Sequence, residues 1–106
     1  MIDKNTNEIV ALGRRKRASA RVRIKPGTGL FIVNGRPVDE YLARETLVQM
    51  AELPLVTAGL RDSIDVRARC AGGGLAGQAG ALSLGIARAL VEKDEELRTT
   101  MRGKDL

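Results

Sequence analysis

The chain has 106 residues, of which 43% are apolar, 29% charged and 2% aromatic, with a net charge of +5. That composition fits one globular domain with an aliphatic core and little stability to spare, not a disordered segment. With no histidine and a single cysteine, Cys70, it excludes His-dependent nucleophile pairs, internal disulfides and multi-cysteine zinc sites.

The opening stretch, MIDKNTNEIV, has no secretory pattern, and no apolar run approaches a membrane span. A cytoplasmic protein is expected. EIVAL at 8–12 reads as a short strand, and GRRKR at 13–17 as an all-basic break opened by Gly13. From Arg17 to Lys25 the pattern has period two. Ala18, Ala20, Val22 and Ile24 share one face, and Arg17, Ser19, Arg21, Arg23 and Lys25 share the other.

PGTG at 26–29 is a turn, and LFIV at 30–33 is the returning strand, so these two strands are expected to form a hairpin. NGRP at 34–37 is a second turn whose Asn-Gly could close a hairpin, although no strand pattern follows. A helix opens after Pro37, with Asp39 and Glu40 in its first turn. It continues through RETLVQMAEL at 44–53 and stops before Pro54. LPLVTAGL at 53–60 carries no decisive pattern.

Residues 63–71 alternate again, with Ile64, Val66, Ala68 and Cys70 against Asp65, Arg67 and Arg69. The glycine-dense GGGLAGQAGA at 72–81 follows. From Gly77 to about Lys93 the period becomes helical, through Leu75, Ala79, Leu82, Ile86, Ala89, Leu90 and Leu97. EKDEELRTTMRGK at 92–104 predicts a charged final helix, or a helix broken near Asp94. There is no repeat and no linker, so residues 1–106 are expected to form one domain: a sheet with helices on one face. Cys70 is expected to be a buried, inert thiol.

The charge is unevenly spread. Residues 1–36 carry nine Lys/Arg against two acids, and residues 37–60 carry one Arg against four. Seven cations and no acid lie between Arg14 and Lys25, the footprint of a polyanionic partner. Arg14, Arg15, Lys16 and Arg17 are expected in a loop, with Arg21 and Lys25 following on the strand. Asp39–Glu40 and Asp94–Glu96 read as helix-start and surface acids rather than a catalytic pair.

The glycine stretch admits three readings. It could cradle nucleotide phosphates, as in small-molecule kinases, yet it lacks the GxxxxGK[ST] pattern. It could present bare backbone and Gln78 to RNA. It could only let helix and sheet pack closely, which suits Gly80 and Gly85, since a glycine inside a helix costs about 1 kcal/mol relative to alanine.

Four stretches together resemble one family. They are GRRKRASARVRIKPGTG at 13–29, VNGRPVDEYLARETL at 33–47, the alternating strand at 63–71, and GGGLAGQAGALSLGIARAL at 72–90. The last is the most specific, through Gly72, Gly73, Gly74, Gly77, Gln78, Ala81, Gly85, Ala87 and Arg88. The pattern resembles the ninth protein of the small ribosomal subunit, of bacterial or organellar type.

The resemblance implies an α/β (α+β) two-layer sandwich like the second domain of ribosomal protein five. The sheet would be mostly four-stranded, with helices on one face and a left-handed βαβ crossover. It implies a structural, non-enzymatic, cofactor-free constituent of the subunit head in a cytoplasmic or organellar ribosome. Its partners would be ribosomal RNA and neighbouring head proteins. The RNA-binding candidates are Arg14, Arg15, Lys16, Arg17, Arg21, Lys25, Arg67, Arg69, Gly72, Gly73, Gly74, Gln78 and Arg88. In the family a long basic tail follows the position of MRGKDL and reaches the peptidyl-site tRNA. The sequence here ends at Leu106, so that contact is not carried over.

Overall fold

The computed structural model describes residues 1–102. In chain order the elements are β1 (Ile9–Arg15), β2 (Ala18–Pro26), β3 (Phe31–Val33), β4 (Arg36–Pro37), α1 (Val38–Leu42), α2 (Glu45–Thr57), β5 (Ile64–Ala71), α3 (Gly74–Lys93) and α4 (Leu97–Arg102). The strands form one sheet of order β1-β2-β5-β3-β4. All neighbours are antiparallel except β3 and β5, which run parallel. The helices cover one face, with α3 against β1 and β2, and α2 against α3. Gly103 and Lys104, the end of the expected final helix, lie outside the described residues.

Alternation on β2 and β5 is realised as burial. Ala18, Ala20, Val22 and Ile24 on β2, and Ile64, Val66, Ala68 and Cys70 on β5, all face the helices. They meet Leu82, Ile86 and Leu90 of α3 and Leu47 and Leu55 of α2 in one aliphatic core. Burial of the Cys70 thiol pushes its pKa up to about 11. Contrary to the expectation that no apolar run approaches a membrane span, α3 is long and apolar enough by composition to cross a bilayer, but 67% of its apolar window is buried in the fold, as in a core helix.

Several expectations give way to the pairing. β2 and β3 do not form a hairpin, because β5 lies between them. The turn at 26–29 carries the chain over the start of β5 instead of reversing it beside β2. The Asp65 carboxylate holds it there, with Oδ1 accepting the backbone amides of Thr28, Gly29 and Leu30 at 2.9, 3.1 and 3.0 Å. β2 pairs on its other side with β1, so GRRKR is not a break. β1 runs through Gly13, Arg14 and Arg15, and the chain reverses at Lys16, where φ is 56°.

The sheet has a fifth strand. Asn34 and Gly35 both take positive φ and close β3 onto the two-residue β4, as a type I′ turn requires. The helix expected to run on from Pro37 breaks at Ala43, where φ is 65°. The bend lets both Leu42 and Leu47 reach the core.

Pro54 does not end α2. Proline in a helix costs about 3 kcal/mol, but burial of Leu55 offsets roughly 1.5–3 kcal/mol, and Pro54 is itself buried. The helix stops at Gly59, whose φ is 71°. There Gly59 donates to Val56 and Leu60 donates to Leu55, the Schellman arrangement. α3 begins three residues earlier than its periodicity suggested, at Gly74, and Leu75 is exposed. The break near Asp94 separates α3 from α4.

Candidate nucleic-acid interface

The two features that stood out in the sequence are neighbours in space. The β1–β2 reversal and the glycine loop meet at one end of the sheet, because Ser19 on β2 lies opposite Ala71 on β5. A methyl group added at Gly72 would come 2.5 Å from the Arg17 carbonyl oxygen. One added at Gly73 would come 2.7 Å from the Ala18 nitrogen. Gly77 sits over Ala18, and Gly80 lies beneath the aliphatic stem of Arg15. The loop therefore clasps the hairpin. Gly72, Gly73 and Gly74 all have φ between 70° and 83°, a run that L side chains adopt only with strain. Gly85 meets Val22 and Gly13, where β1 and α3 touch backbone to backbone.

The four consecutive cations do not form one loop clamp. Arg14 and Arg15 belong to β1 and point to opposite faces of the sheet. Arg14, opposite Ser19, is on the open face, and Arg15, opposite Ala18, is on the helix side. Lys16 and Arg17 form the exposed tip. Among the described residues none of these four takes part in an ion pair.

Arg21 and Arg69 lie opposite each other on the open face, one step from a second opposed pair, Arg23 and Arg67. The second pair is occupied. Arg67 donates Nη2 and Nε to Glu8 at 2.7 and 3.2 Å, and Arg23 donates Nη1 to Asp3 at 2.8 Å. Glu8 is 2% exposed, and the Arg67 guanidinium beside it holds its carboxyl below the usual range despite burial. Arg23 does the same for Asp3. The four arginines, with Ile32, Asn34, Gly35 and Ala68, line a groove of about 820 Å³.

The remaining candidates disperse. Lys25 lies seven residues along β2 from Ala18, about 23 Å from that residue at strand rise, and faces Asp65 in the register. Arg88 on α3 donates Nη1 to the Leu12 carbonyl at 2.7 Å. Gln78 is buried. Its Oε1 accepts the Tyr41 hydroxyl at 2.5 Å, and its Nε2 donates to the Gly72 carbonyl at 3.1 Å.

Sequence reasoning missed the other half of this network. Asn34 donates Nδ2 to both the Tyr41 hydroxyl and the Cys70 carbonyl, and its Oδ1 accepts the Cys70 amide at 2.9 Å. Its side chain thus continues the β3–β5 ladder one step beyond β3. The Asn-Gly dipeptide signalled a turn, but nothing local signalled its partner thirty-six residues on. Asp3 and Glu8 were missed for the same reason.

A family model described as "Ribosomal protein S9/S16" matches residues 13–106. Three curated proteins, each named small ribosomal subunit protein uS9, are similar over most of the chain. The one from Nocardia farcinica is 47% identical over 94 residues, 89% of this chain and 56% of that protein. The one from Gloeobacter violaceus is 50% identical over 91 residues, 85% of this chain and 68% of that protein. The one from Chlorobaculum parvum is 49% identical over 98 residues, 92% and 76% respectively. The chain thus spans little more than half of the first of these relatives.

Proposed function

The chain belongs to the S9/S16 family of ribosomal proteins, and from that premise we propose that it is a structural constituent of the small ribosomal subunit. It binds ribosomal RNA in the subunit head and supports translation without catalysing a reaction. The observation that carries this reading is the cationic hairpin end at Arg14–Arg17, held in the glycine clasp and free of ion pairs among the described residues. Exposed like charges this close repel one another, and a phosphate backbone relieves that repulsion while releasing counterions.

Lys16 and Arg17 grip phosphates from the tip, with Arg14 and Arg15 flanking them. Gly72 to Gly74 lead into a 20-residue helix with no acid in its first turn and no side-chain cap, which favours a nearby anion. Arg21, Arg69, Lys25 and Arg88 extend the positive surface. Arg67 and Gln78 act as scaffold, through Glu8 and Tyr41. The partners are ribosomal RNA and adjacent proteins of the subunit, on the ribosome in the cytoplasm. Contact with peptidyl-site tRNA, which the resemblance assigns to a basic tail, is outside the proposal.

A kinase-like nucleotide site in the glycine loop is the weaker reading, because Arg17 and Ala18 already occupy the close approach at Gly72 and Gly73. The chain is expected to co-sediment with small subunits on a sucrose gradient, and Lys16→Ala with Arg17→Ala to weaken that association. Protein remaining at the top of the gradient at about 50 mM salt, where phosphate contacts are strongest, would overturn the ribosomal reading. Stabilisation by a millimolar nucleoside triphosphate alone would favour the other.

A further inference from the structure

The open face of the sheet carries two rows of side chains directly opposed across the strands. One row is Val10, Arg23, Arg67 and Ile32, and the next is Leu12, Arg21 and Arg69. Like charges opposed across strands destabilise a sheet, so four arginines in two adjacent rows need compensation. Among the described residues only one pair receives it. Glu8, almost fully buried, accepts two hydrogen bonds from Arg67 and lies 3.5 Å from Arg23, while Asp3 takes Arg23 at 2.8 Å. Among the described residues, Arg21 and Arg69 take part in no ion pair. They border the 820 Å³ groove whose other wall is the Asn34–Gly35 turn. A methyl group added at Gly35 would meet nothing within 4 Å, and Ile32 offers an apolar patch beside the arginines.

We propose that Arg21 and Arg69 together bind one backbone phosphate of ribosomal RNA in this groove, separate from the phosphates gripped by the hairpin tip. The inference rests on the ribosomal RNA reading above. Opposed residues on paired strands have Cβ atoms about 4.5–5.5 Å apart, so two guanidinium groups can converge on one phosphate and share its oxygens in bidentate fashion. Glu8 and Asp3 confine the phosphate to that row. A phosphate moved one row along would face a buried carboxylate already held by Arg67. The uncompensated pair is the charge that the anion completes, and the compensated pair is a fixed wall. Ile32 and the side-chain-free rim at Gly35 leave room for the attached ribose.

The test is equilibrium filter binding of the chain to a transcript of small-subunit ribosomal RNA across a salt series. Each neutralised phosphate adds about −0.9 to the slope of log affinity against log salt, and less in single-stranded RNA. Arg21→Ala with Arg69→Ala should make the slope shallower by about one phosphate, near 0.9, with the thermal midpoint retained because both side chains are exposed. Lys16→Ala with Arg17→Ala should make it shallower by its own, additive amount. An unchanged slope in the Arg21/Arg69 variant, with the Lys16/Arg17 variant still shallower, overturns the groove site and leaves the ribosomal reading standing. Failure of the unsubstituted chain to bind the transcript overturns both.

Discussion

Gln78 stood out in the sequence as a polar group beside glycines, the kind of side chain that meets RNA. Its amide is instead the centre of a network joining α1, α3 and the end of β5, between the Tyr41 hydroxyl and the Gly72 carbonyl. A buried polar group left unpaired costs about 1–3 kcal/mol. Gln78→Ala is therefore expected to lower the unfolding free energy by about that amount, seen as a lower urea midpoint at unchanged m-value. A shift smaller than about 0.5 kcal/mol, within the range of surface substitutions, would mean that water replaces the amide and that the network is peripheral. A single residue type indicates that a polar group needs a partner. It does not indicate whether the partner is RNA or Tyr41, thirty-seven positions earlier.

At the scale of elements, the contact that decides the architecture is β1 against α3. Gly13 and Gly85 let the strand and helix backbones touch. A methyl group at Gly13 would overlap the Ala81 carbonyl oxygen and come 2.5 Å from the Gly85 nitrogen. Backbone cannot swing aside as a side chain can, so Gly13→Ala is expected to cost about 2–3 kcal/mol, toward the upper end for overpacking. Gly80→Ala is the matched control. Its new methyl meets only the flexible stem of Arg15, and alanine gains about 1 kcal/mol of helix propensity over glycine. It should fall within about 1 kcal/mol of the parent in the same urea titration. Equal losses in the two variants would refute the backbone-contact account of Gly13. The sequence reading of Gly80 and Gly85 as packing glycines stands, and Gly13, read as the opening of a break, belongs with them.

For the whole molecule, carboxylates tie together segments that are distant in sequence. Asp3 and Glu8 fasten the N-terminal arm to β2 and β5, and Asp65 fastens the loop before β3 to β5. Each has its pKa lowered: Asp3 by Arg23, Glu8 by Arg67, and Asp65 by the amides of Thr28, Leu30 and Gly29. A carboxylate depressed on folding stabilises the fold fully above its unfolded value. That value is 4.5 for Glu8 and 3.8 for the two aspartates. The contribution is lost as pH falls through the lower folded value, because the unfolded chain then binds more protons. The thermal midpoint should be flat from about pH 7 to pH 5 and fall steadily below about pH 4.5. Glu8→Gln should flatten part of that fall, and an acid limb identical to the parent's would remove Glu8 from the account.

The amino-acid sequence by itself determined the alternating strands and the long core helix. Period two on β2 and β5 and period 3.6 on α3 are written in adjacent residues, and each is enough to orient its own apolar face. It also determined the charge asymmetry, the absence of histidine chemistry and, through the glycine signature, the family. The tertiary structure alone decided the order of strands, with β5 inserted between β2 and β3, because ladder partners are chosen by a shared core and not by proximity along the chain. It decided which arginines are engaged by carboxylates among the described residues: Arg67 and Arg69 look alike in sequence, and of the two the former meets the carboxylate of Glu8, fifty-nine residues away. It decided the glycines as well. Their density announced a close approach, and only the folded hairpin revealed that Gly72 and Gly73 already approach the backbone of Arg17 and Ala18.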